Sequence, residues 1–305
     1  MGITKIATKK NIAQREWKYT NSAREAWSTI LDILKKENPQ YKVLLPAYIG
    51  WSPNEGSGIF DSVKNSSLDF DFYNLDRNLK IDFNHFKNKI KDTKDCIVLL
   101  VHYFGFPDVQ YQEIINWLDQ NNILYIEDCA HSWLTDLIGG ICGRNGRFAF
   151  YSLHKMLPVS GGGIMVDNVP NKDNKSEILQ PHFNLGYDLF TIYNKRRENY
   201  DYLVEELKKI TDIEIIYPNI ENGICPQTLP VILHNFDRNK LYKEMNDLEI
   251  GMVSLYHTMI EELKDSTSEA AIFTSKHIIN FPVHQDIDIK DLDNLIVKLK
   301  IVLNA

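Results

Sequence analysis

Apolar and polar positions along the first half of the chain predict strands and helices in alternation. Apolar runs of strand length occur at 41–48, 95–105 and 123–128. At 22–36 and 111–120, apolar residues recur every three or four positions, which is the spacing of a helix with one buried face. Such alternation is typical of a mostly parallel sheet covered by helices, so we expect an α/β domain.

Two more apolar runs, 148–151 and 164–166, enclose a short segment that carries polar residues. This segment presents Ser152 and Lys155 and then turns through three consecutive glycines at 161–163. We do not expect a lysine between two buried strands to be an ordinary solvated side chain. Lys155 is therefore the first candidate for chemistry. The serine beside it is a second candidate, unless it only forms a turn or caps a helix.

The apolar run at 123–128 ends in two carboxylates, Glu127 and Asp128. A buried parallel strand delivers its last side chains to the carboxyl edge of the sheet, where open α/β sheets bind ligands. We therefore expect Asp128 to lie in a site, with His131 close behind it. The alternatives are an aspartate that caps a helix and a histidine that is buried in the core.

The helix predicted at 22–36 has a capping signal at its start. Ser22 or Asn21 caps it, and Glu25 follows Ser22 by three positions, as in a capping box. The free N–H groups and the positive end of the helix dipole make such a start a good phosphate site. A plain capped helix is the alternative.

The second half of the chain has a different organisation. A polar, loop-like segment at 168–176 precedes a long, charged helix pattern at 193–210. Further strands are predicted at 213–218, 228–234 and 277–284, and further helices at 237–248 and 289–303. We expect a large α/β domain over residues 1–190 and a small C-terminal α+β domain over residues 191–305.

Composition limits the classes of function. The 305 residues are 44% hydrophobic and 25% charged, with a formal net charge of −7, which argues against a nucleic-acid partner. No apolar run is long enough to span a membrane and no signal peptide is apparent, so we expect a soluble, cytoplasmic protein. The cysteines show no C-x-x-C spacing, so neither a zinc site nor a disulfide framework is predicted. They are Cys96, Cys129, Cys142 and Cys225.

A lysine, a carboxylate and a hydroxyl in this order indicate pyridoxal phosphate (PLP) chemistry. The cofactor needs an amine for its aldehyde, a carboxylate that keeps the pyridine nitrogen protonated, and donors for its phosphate. The segments IEDCAHS (126–132) and YSLHKMLPVSGGGIMV (151–166) resemble the DegT/DnrJ/EryC1/StrS family of PLP-dependent sugar aminotransferases. The resemblance implies the PLP-dependent transferase fold type I, with a large, mostly parallel sheet and a small C-terminal domain.

The resemblance also implies roles for individual residues. Lys155 is the Schiff-base lysine, Asp128 the partner of the pyridine nitrogen, and Ser152 a phosphate ligand. His131 lies near the phenolic oxygen of the cofactor. The segment NSAREAW (21–27) resembles the family's phosphate-binding helix start. Its implied ligands are Ser22, Ala23 and Arg24.

The stretch 43–63 resembles the family segment that places an aromatic or small residue on the cofactor ring. Trp51 is the candidate for stacking on the ring, and Tyr48 is the alternate. His102, at the end of the apolar run at 95–105, matches a V-H-x-x-G element of the family, although a histidine packed in a loop explains it equally well.

The implied activity is transfer of an amino group from an amino acid, glutamate, to a nucleotide-linked keto-sugar in surface polysaccharide or amino-sugar biosynthesis. The implied assembly is a homodimer. One alternative is a PLP-dependent sugar dehydratase, in which histidine replaces the Schiff-base lysine; Lys155 favours transamination, although His154 lies next to it. Another is a regulatory protein that binds PLP without catalysis. The spacing of Ser152 and Lys155 also occurs in penicillin-binding proteins, whose S-D-N and K-[ST]-G elements are missing here.

Overall fold

The computed structural model describes residues 15–93, 95–169, 186–264 and 268–303. Among these residues, seven strands form one sheet in the order β1-β7-β6-β5-β4-β2-β3. The strands are β1 (Glu16–Thr20), β2 (Lys42–Pro46), β3 (Asp69–Tyr73), β4 (Cys96–Val101), β5 (Leu124–Asp128), β6 (Phe148–Ser152) and β7 (Gly163–Asp167). The pairs from β3 to β6 are parallel, and β7 runs antiparallel to both β6 and β1. The predicted α/β fold with a mostly parallel sheet is confirmed.

Helices in the connections cover the sheet. They are α1 (Ala23–Glu37), α2 (Phe60–Ser66), α3 (Phe83–Lys91), α4 (Tyr111–Gln120) and α5 (Trp133–Leu137). The apolar face of α1 is buried, and its Trp27 ring stacks on the ring of Phe150 in β6 at 5.4 Å. Burying such a face supplies most of the stability of a helix of this length. This packing places the start of α1 beside the connection between β6 and β7.

Some elements escaped the sequence pattern. Strand β1 has five residues and no buried side chain, so only its pairing with β7 reveals it. Helices α2 and α5 are short, with seven and five residues. Local periodicity is too weak to indicate elements of this size.

The C-terminal part contains a separate antiparallel sheet in the order β10-β9-β8, as expected for an α+β unit. Its strands are β8 (Ile213–Ile215), β9 (Thr228–Leu233) and β10 (Ile278–Pro282). Its helices are α6 (Leu189–Leu207), α7 (Arg238–Asp247), α8 (Glu269–His277) and α9 (Ile289–Leu303). The domain boundary at 190/191 stays a prediction, and most of the loop predicted at 168–176 lies outside the described residues. None of the helices described is both long and apolar enough to cross a membrane.

Hydrogen bonds connect this C-terminal part to the carboxyl edge of the large sheet. The N–H of Gln227 donates to the carbonyl of Phe104 at 2.7 Å. Arg196 on α6 is buried, and its Nη2 donates to the carbonyl of Met156 at 3.3 Å. The C-terminal part therefore contacts the segments that follow β4 and β6.

Candidate active site

Asp128 is the last residue of β5, and it pairs in register with Val101 of β4 and Phe150 of β6. Its side chain is 4% exposed, and Oδ1 accepts a hydrogen bond from the N–H of Ala130 at 2.9 Å. Burial raises the pKa of Asp128, and the N–H of Ala130 and the neighbouring Lys155 and His102 only partly oppose this change. A carboxyl group in this environment is stabilised as an anion by a further cationic partner.

Lys155 lies in the connection between β6 and β7, with its amine directed to the same edge of the sheet. Its Nζ is 2.7 Å from Nε2 of His131. Burial lowers the pKa of Lys155, while the carboxylates of Asp128 and Glu55 oppose that change. A lowered pKa increases the fraction of neutral amine, which is the nucleophilic form.

Hydrogen bonding assigns the tautomer of His131. Its Nδ1 accepts the N–H of Phe104 at 3.1 Å, so in the neutral ring the proton is on Nε2. Burial holds the pKa of His131 well below its usual value, which keeps the ring neutral. The Nε2–H group therefore donates to the Lys155 amine, and a neutral amine is the form that accepts it.

Glu127, which precedes Asp128, belongs to a different network. Its carboxylate lies 2.9 Å from Nε2 of His102 and accepts hydrogen bonds from the hydroxyl of Tyr111 at 2.6 Å and the N–H of Gly143 at 2.7 Å. Burial would raise the pKa of Glu127, but His102 and the other donors lower it to about 2. The side chain of His102 thus pairs with Glu127. Sequence reasoning missed the pairing of His102 with Glu127. Glu127 and Asp128 are adjacent in β5, so their side chains face opposite sides of the sheet.

The protonation of His102 supports that pairing. Burial by itself would lower its pKa, but the neighbouring Cys142 and Glu127 raise it to about 9. The thiols of Cys129 and Cys142 and a ring nitrogen of His102 lie within 4.8 Å of one another. All four cysteines of the chain are buried as free thiols.

The start of α1 lies against the glycine turn, as the phosphate prediction requires. The N–H of Gly162 donates to the carbonyl of Asn21 at 3.0 Å. A Cβ on Gly163 would lie 2.3 Å from the carbonyl carbon of Ser22, so only glycine permits this approach. Ser22 caps α1 by accepting the N–H of Glu25 at 3.1 Å. Ser152, at the end of β6, is buried, and its Oγ lies 3.2 Å from Nδ1 of His154.

Two of the predicted residues, Arg24 and Trp51, are partly exposed. The guanidinium of Arg24 donates to the carbonyl of Glu55 and lies 4.0 Å from the carboxylate of Asp61. The Trp51 side chain is 43% exposed. The alternate, Tyr48, is buried, with its ring 5.5 Å from the ring of Tyr103.

Tyr256 was not foreseen. It belongs to the C-terminal part, far in sequence from the motifs around Asp128 and Lys155, yet its ring centroid lies 6.0 Å from the ring of His131. The local sequence around Tyr256 carries no signal that we can identify for this position.

Comparison with solved structures supports the fold assignment. The aminotransferase TlmJ from Streptoalloteichus hindustanus aligns with a TM-score of 0.75 at 14% identity, over 95% of this chain and 86% of that one. A DegT DnrJ EryC1 StrS aminotransferase from Brucella abortus aligns with a TM-score of 0.71 at 15% identity, over 94% and 85%. The E. coli GDP-4-keto-6-deoxy-D-mannose-3-dehydratase with bound hydrated PLP aligns with a TM-score of 0.73 at 18% identity, over 93% and 87%. At these identities the likeness shows a shared fold, PLP-dependent fold type I.

A comparison with curated proteins gave no match. The sequence model of the DegT/DnrJ/EryC1/StrS aminotransferase family matches residues 63–185, a range that contains Asp128, His131, Ser152 and Lys155. The resemblance read from the motifs is thereby confirmed: residues 63–185 of the chain match the DegT/DnrJ/EryC1/StrS aminotransferase family.

Proposed function

We propose that this protein is a PLP-dependent aminotransferase that moves an amino group from an amino acid, glutamate, to a nucleotide-linked keto-sugar. The observation that carries the proposal is the placement of a lysine amine with a lowered pKa and a buried carboxylate, Asp128, at one edge of the sheet. Lys155 can bond an aldehyde, and Asp128 can pair with a protonated pyridine nitrogen. The residues present therefore fit PLP.

The phosphate of PLP would bind at the start of α1. The first-turn N–H groups of Ala23 and Arg24 have no acceptor inside the helix, and the helix dipole favours an anion there. Ser152 ends β6 on the same side as the glycine turn, which packs on Asn21 and Ser22. We infer that Arg24 contributes its backbone N–H, because its guanidinium is engaged with Glu55.

When bound, PLP supplies an electron sink for the negative charge that develops at the substrate carbon. The neutral amine of Lys155 is the base that takes the proton from that carbon and later returns it. His131 orients the amine by donating from Nε2. Asp128 remains anionic opposite a positive partner and keeps that partner charged.

A sugar dehydratase is the second candidate, because a dehydratase is among the structures that share the fold. In the dehydratases of this family a histidine replaces the Schiff-base lysine, whereas this chain has Lys155. The lysine therefore favours amino transfer. We also infer from the resemblance that the protein is a homodimer, and sedimentation of an active monomer at micromolar concentration would contradict this.

The half-reaction with the amino donor tests the proposal. Protein loaded with PLP is mixed with excess glutamate in a single turnover, without an acceptor. We expect 2-oxoglutarate in an amount equal to the bound cofactor, together with loss of the absorbance of the PLP form. If neither glutamate nor another common amino acid yields its keto acid, the aminotransferase proposal fails.

A further inference from the structure

A segment of the C-terminal part crosses the carboxyl edge of the large sheet. The N–H of Trp51 donates to the carbonyl of Thr258 at 2.9 Å, and the N–H of Ile260 donates to the carbonyl of Ile49 at 3.1 Å. At its other end, Val253 exchanges backbone hydrogen bonds of 3.2 and 2.7 Å with Asn280 of β10. The segment 253–260 is thus held by backbone hydrogen bonds at both ends.

Tyr256 is the aromatic residue that this segment inserts into the site. A Cβ on Gly50 would lie 2.5 Å from Cδ1 of Tyr256, so the absence of a side chain at position 50 permits the approach. The Tyr256 ring lies 5.3 Å from the ring of Tyr48, 5.6 Å from that of Tyr103 and 6.0 Å from that of His131. Aromatic rings at these separations attract one another.

The contact with His131 connects Tyr256 to the candidate catalytic lysine. His131 is the hydrogen-bond partner of the Lys155 amine. Burial raises the pKa of Tyr256, and the negative charge of Asp128 raises it further, so the phenol stays neutral close to that carboxylate. The ring therefore lies beside the hydrogen-bond partner of Lys155, one of the two groups between which a pyridine ring must lie.

The backbone is strained at Tyr256 and at the neighbouring Phe104. Tyr256 has φ 61° and Phe104 has φ 57°, both in the left-handed region that bulky residues avoid. Their rings lie 6.1 Å apart, and that of Phe104 also stacks on His131 at 5.9 Å. Strained residues persist where the surrounding structure forces them, and they cluster at ligand sites. Two strained aromatic residues that pack on each other and on His131 fit that rule.

A purely structural role for Tyr256 fits less well. The neighbouring Tyr48 and Tyr103 are 0% and 3% exposed, as core residues are, whereas Tyr256 is only partly buried. Tyr256 thus keeps some accessible surface, on which a flat aromatic ligand can pack.

We propose that Tyr256 is a cofactor-binding residue, whose ring packs on the pyridine ring of PLP from the C-terminal part and retains the cofactor. This inference rests on the proposed function, because it presupposes that PLP binds. It assigns to Tyr256 the ring contact that the sequence suggested for Trp51. It also makes the C-terminal part a contributor to the cofactor site.

Measurement of PLP binding to the purified protein tests the inference. Apo protein is titrated with PLP, and the dissociation constant and the release rate are followed by absorbance for the wild type and three variants. Tyr256→Ala removes the ring, Tyr256→Phe keeps it without the hydroxyl, and Tyr242→Ala removes an aromatic that is 40% exposed on α7. We expect about tenfold weaker binding and faster release for Tyr256→Ala, and values near the wild type for the other two.

A second readout does not need the cofactor. In apo protein, the rate at which an amine-acylating reagent modifies Lys155 is measured by mass spectrometry. We expect Tyr256→Ala to expose the amine and to increase this rate, with no change in Tyr242→Ala. If Tyr256→Ala fails to fold, as judged by circular dichroism, Tyr256→Leu replaces it and keeps most of the apolar volume.

The outcomes separate this inference from the proposed function. If the wild-type protein binds no PLP, the proposed function fails, and the inference about Tyr256 fails with it. If the wild type binds PLP and the folded variant that lacks the ring binds it as tightly, with unchanged labelling of Lys155, only the role of Tyr256 is overturned.

Discussion

The amine nitrogen of Lys155 lies 2.7 Å from Nε2 of His131, whose other ring nitrogen accepts the backbone N–H of Phe104. This chain of hydrogen bonds fixes the direction of donation from Phe104 through His131 to the lysine. The amine at the end of this chain must be uncharged to accept the bond. Burial favours that form because it lowers the pKa of Lys155. Both observations favour the neutral amine, which is the form that attacks an aldehyde.

Lys155→Ala should abolish covalent attachment of PLP, because the amine that bonds the aldehyde is removed. The measurement is incorporation of PLP into the protein after borohydride reduction, read by mass spectrometry. Lys64→Ala is the control, since that lysine is 55% exposed and paired with Glu262. An unchanged adduct in Lys155→Ala would remove this lysine from the mechanism.

His131→Ala should raise the pKa of Lys155, because the donor to the neutral amine is lost and water enters the space. The pH dependence of acylation of Lys155 in apo protein reports this pKa, and its midpoint should move to higher pH by about one unit. His234→Ala, at a histidine 41% exposed in the C-terminal part, is the matched control. A midpoint that stays in place would mean that His131 does not tune the lysine.

Asp128→Asn should still bind PLP but lose nearly all turnover, on the order of 10²-fold or more, because the amide cannot hold the pyridine nitrogen protonated. The measurement is the rate of 2-oxoglutarate formation from glutamate at saturating PLP. Asp32→Asn, an exposed position on α1, should leave that rate unchanged. Near-normal turnover in Asp128→Asn would exclude Asp128 from the chemistry.

The buried pair of His102 and Glu127 predicts how stability depends on pH. The raised pKa of His102, about 9 against 6.5, gives stability that is complete below pH 6.5 and lost as pH rises through about 9. The lowered pKa of Glu127, about 2 against 4.5, gives stability that is complete above pH 4.5 and lost as pH falls through about 2. The pair therefore stabilises the fold most between these two limits, from pH 4.5 to 6.5.

Glu127→Gln tests this dependence. Its free energy of unfolding should lie about 3 kcal/mol below that of the wild type near pH 6, and the gap should narrow towards both pH 9 and pH 3. In Glu37→Gln, which breaks the surface pair with Arg147, the gap should be small and should narrow only towards acid pH. Denaturant unfolding at several pH values supplies the comparison. A gap for Glu127→Gln that is constant from pH 6 to 9 would contradict a charged His102.

The parallel strands and the position of Asp128 could be predicted because the information is local. A buried parallel strand is apolar throughout, so the first carboxylates after it mark the edge of the sheet. The same holds for α4, whose predicted range 111–120 matches the observed Tyr111–Gln120. Gly163 was predicted in the glycine turn, whereas it is the first residue of β7, and its contact with Ser22 depends on the packing of α1 against β7.

The remaining features depend on contacts between distant segments. The tautomer of His131 follows from a backbone N–H after β4, and the ring beside it comes from Tyr256 in the C-terminal part. The hydrophobic periodicity of the sequence carries no information about contacts between segments so far apart. The same limit applies to Arg24, whose guanidinium is directed by the carbonyl of Glu55 and not by its position in α1.

Transfer of labelled nitrogen tests the central claim most directly. Protein loaded with PLP is incubated with ¹⁵N-glutamate and a nucleotide-linked keto-sugar, and the sugar product is analysed by mass spectrometry. The aminotransferase proposal predicts a product in which ¹⁵N-amine has replaced the keto oxygen, formed together with 2-oxoglutarate. A sugar that returns without nitrogen and without one of its oxygens would contradict amino transfer and favour the dehydratase.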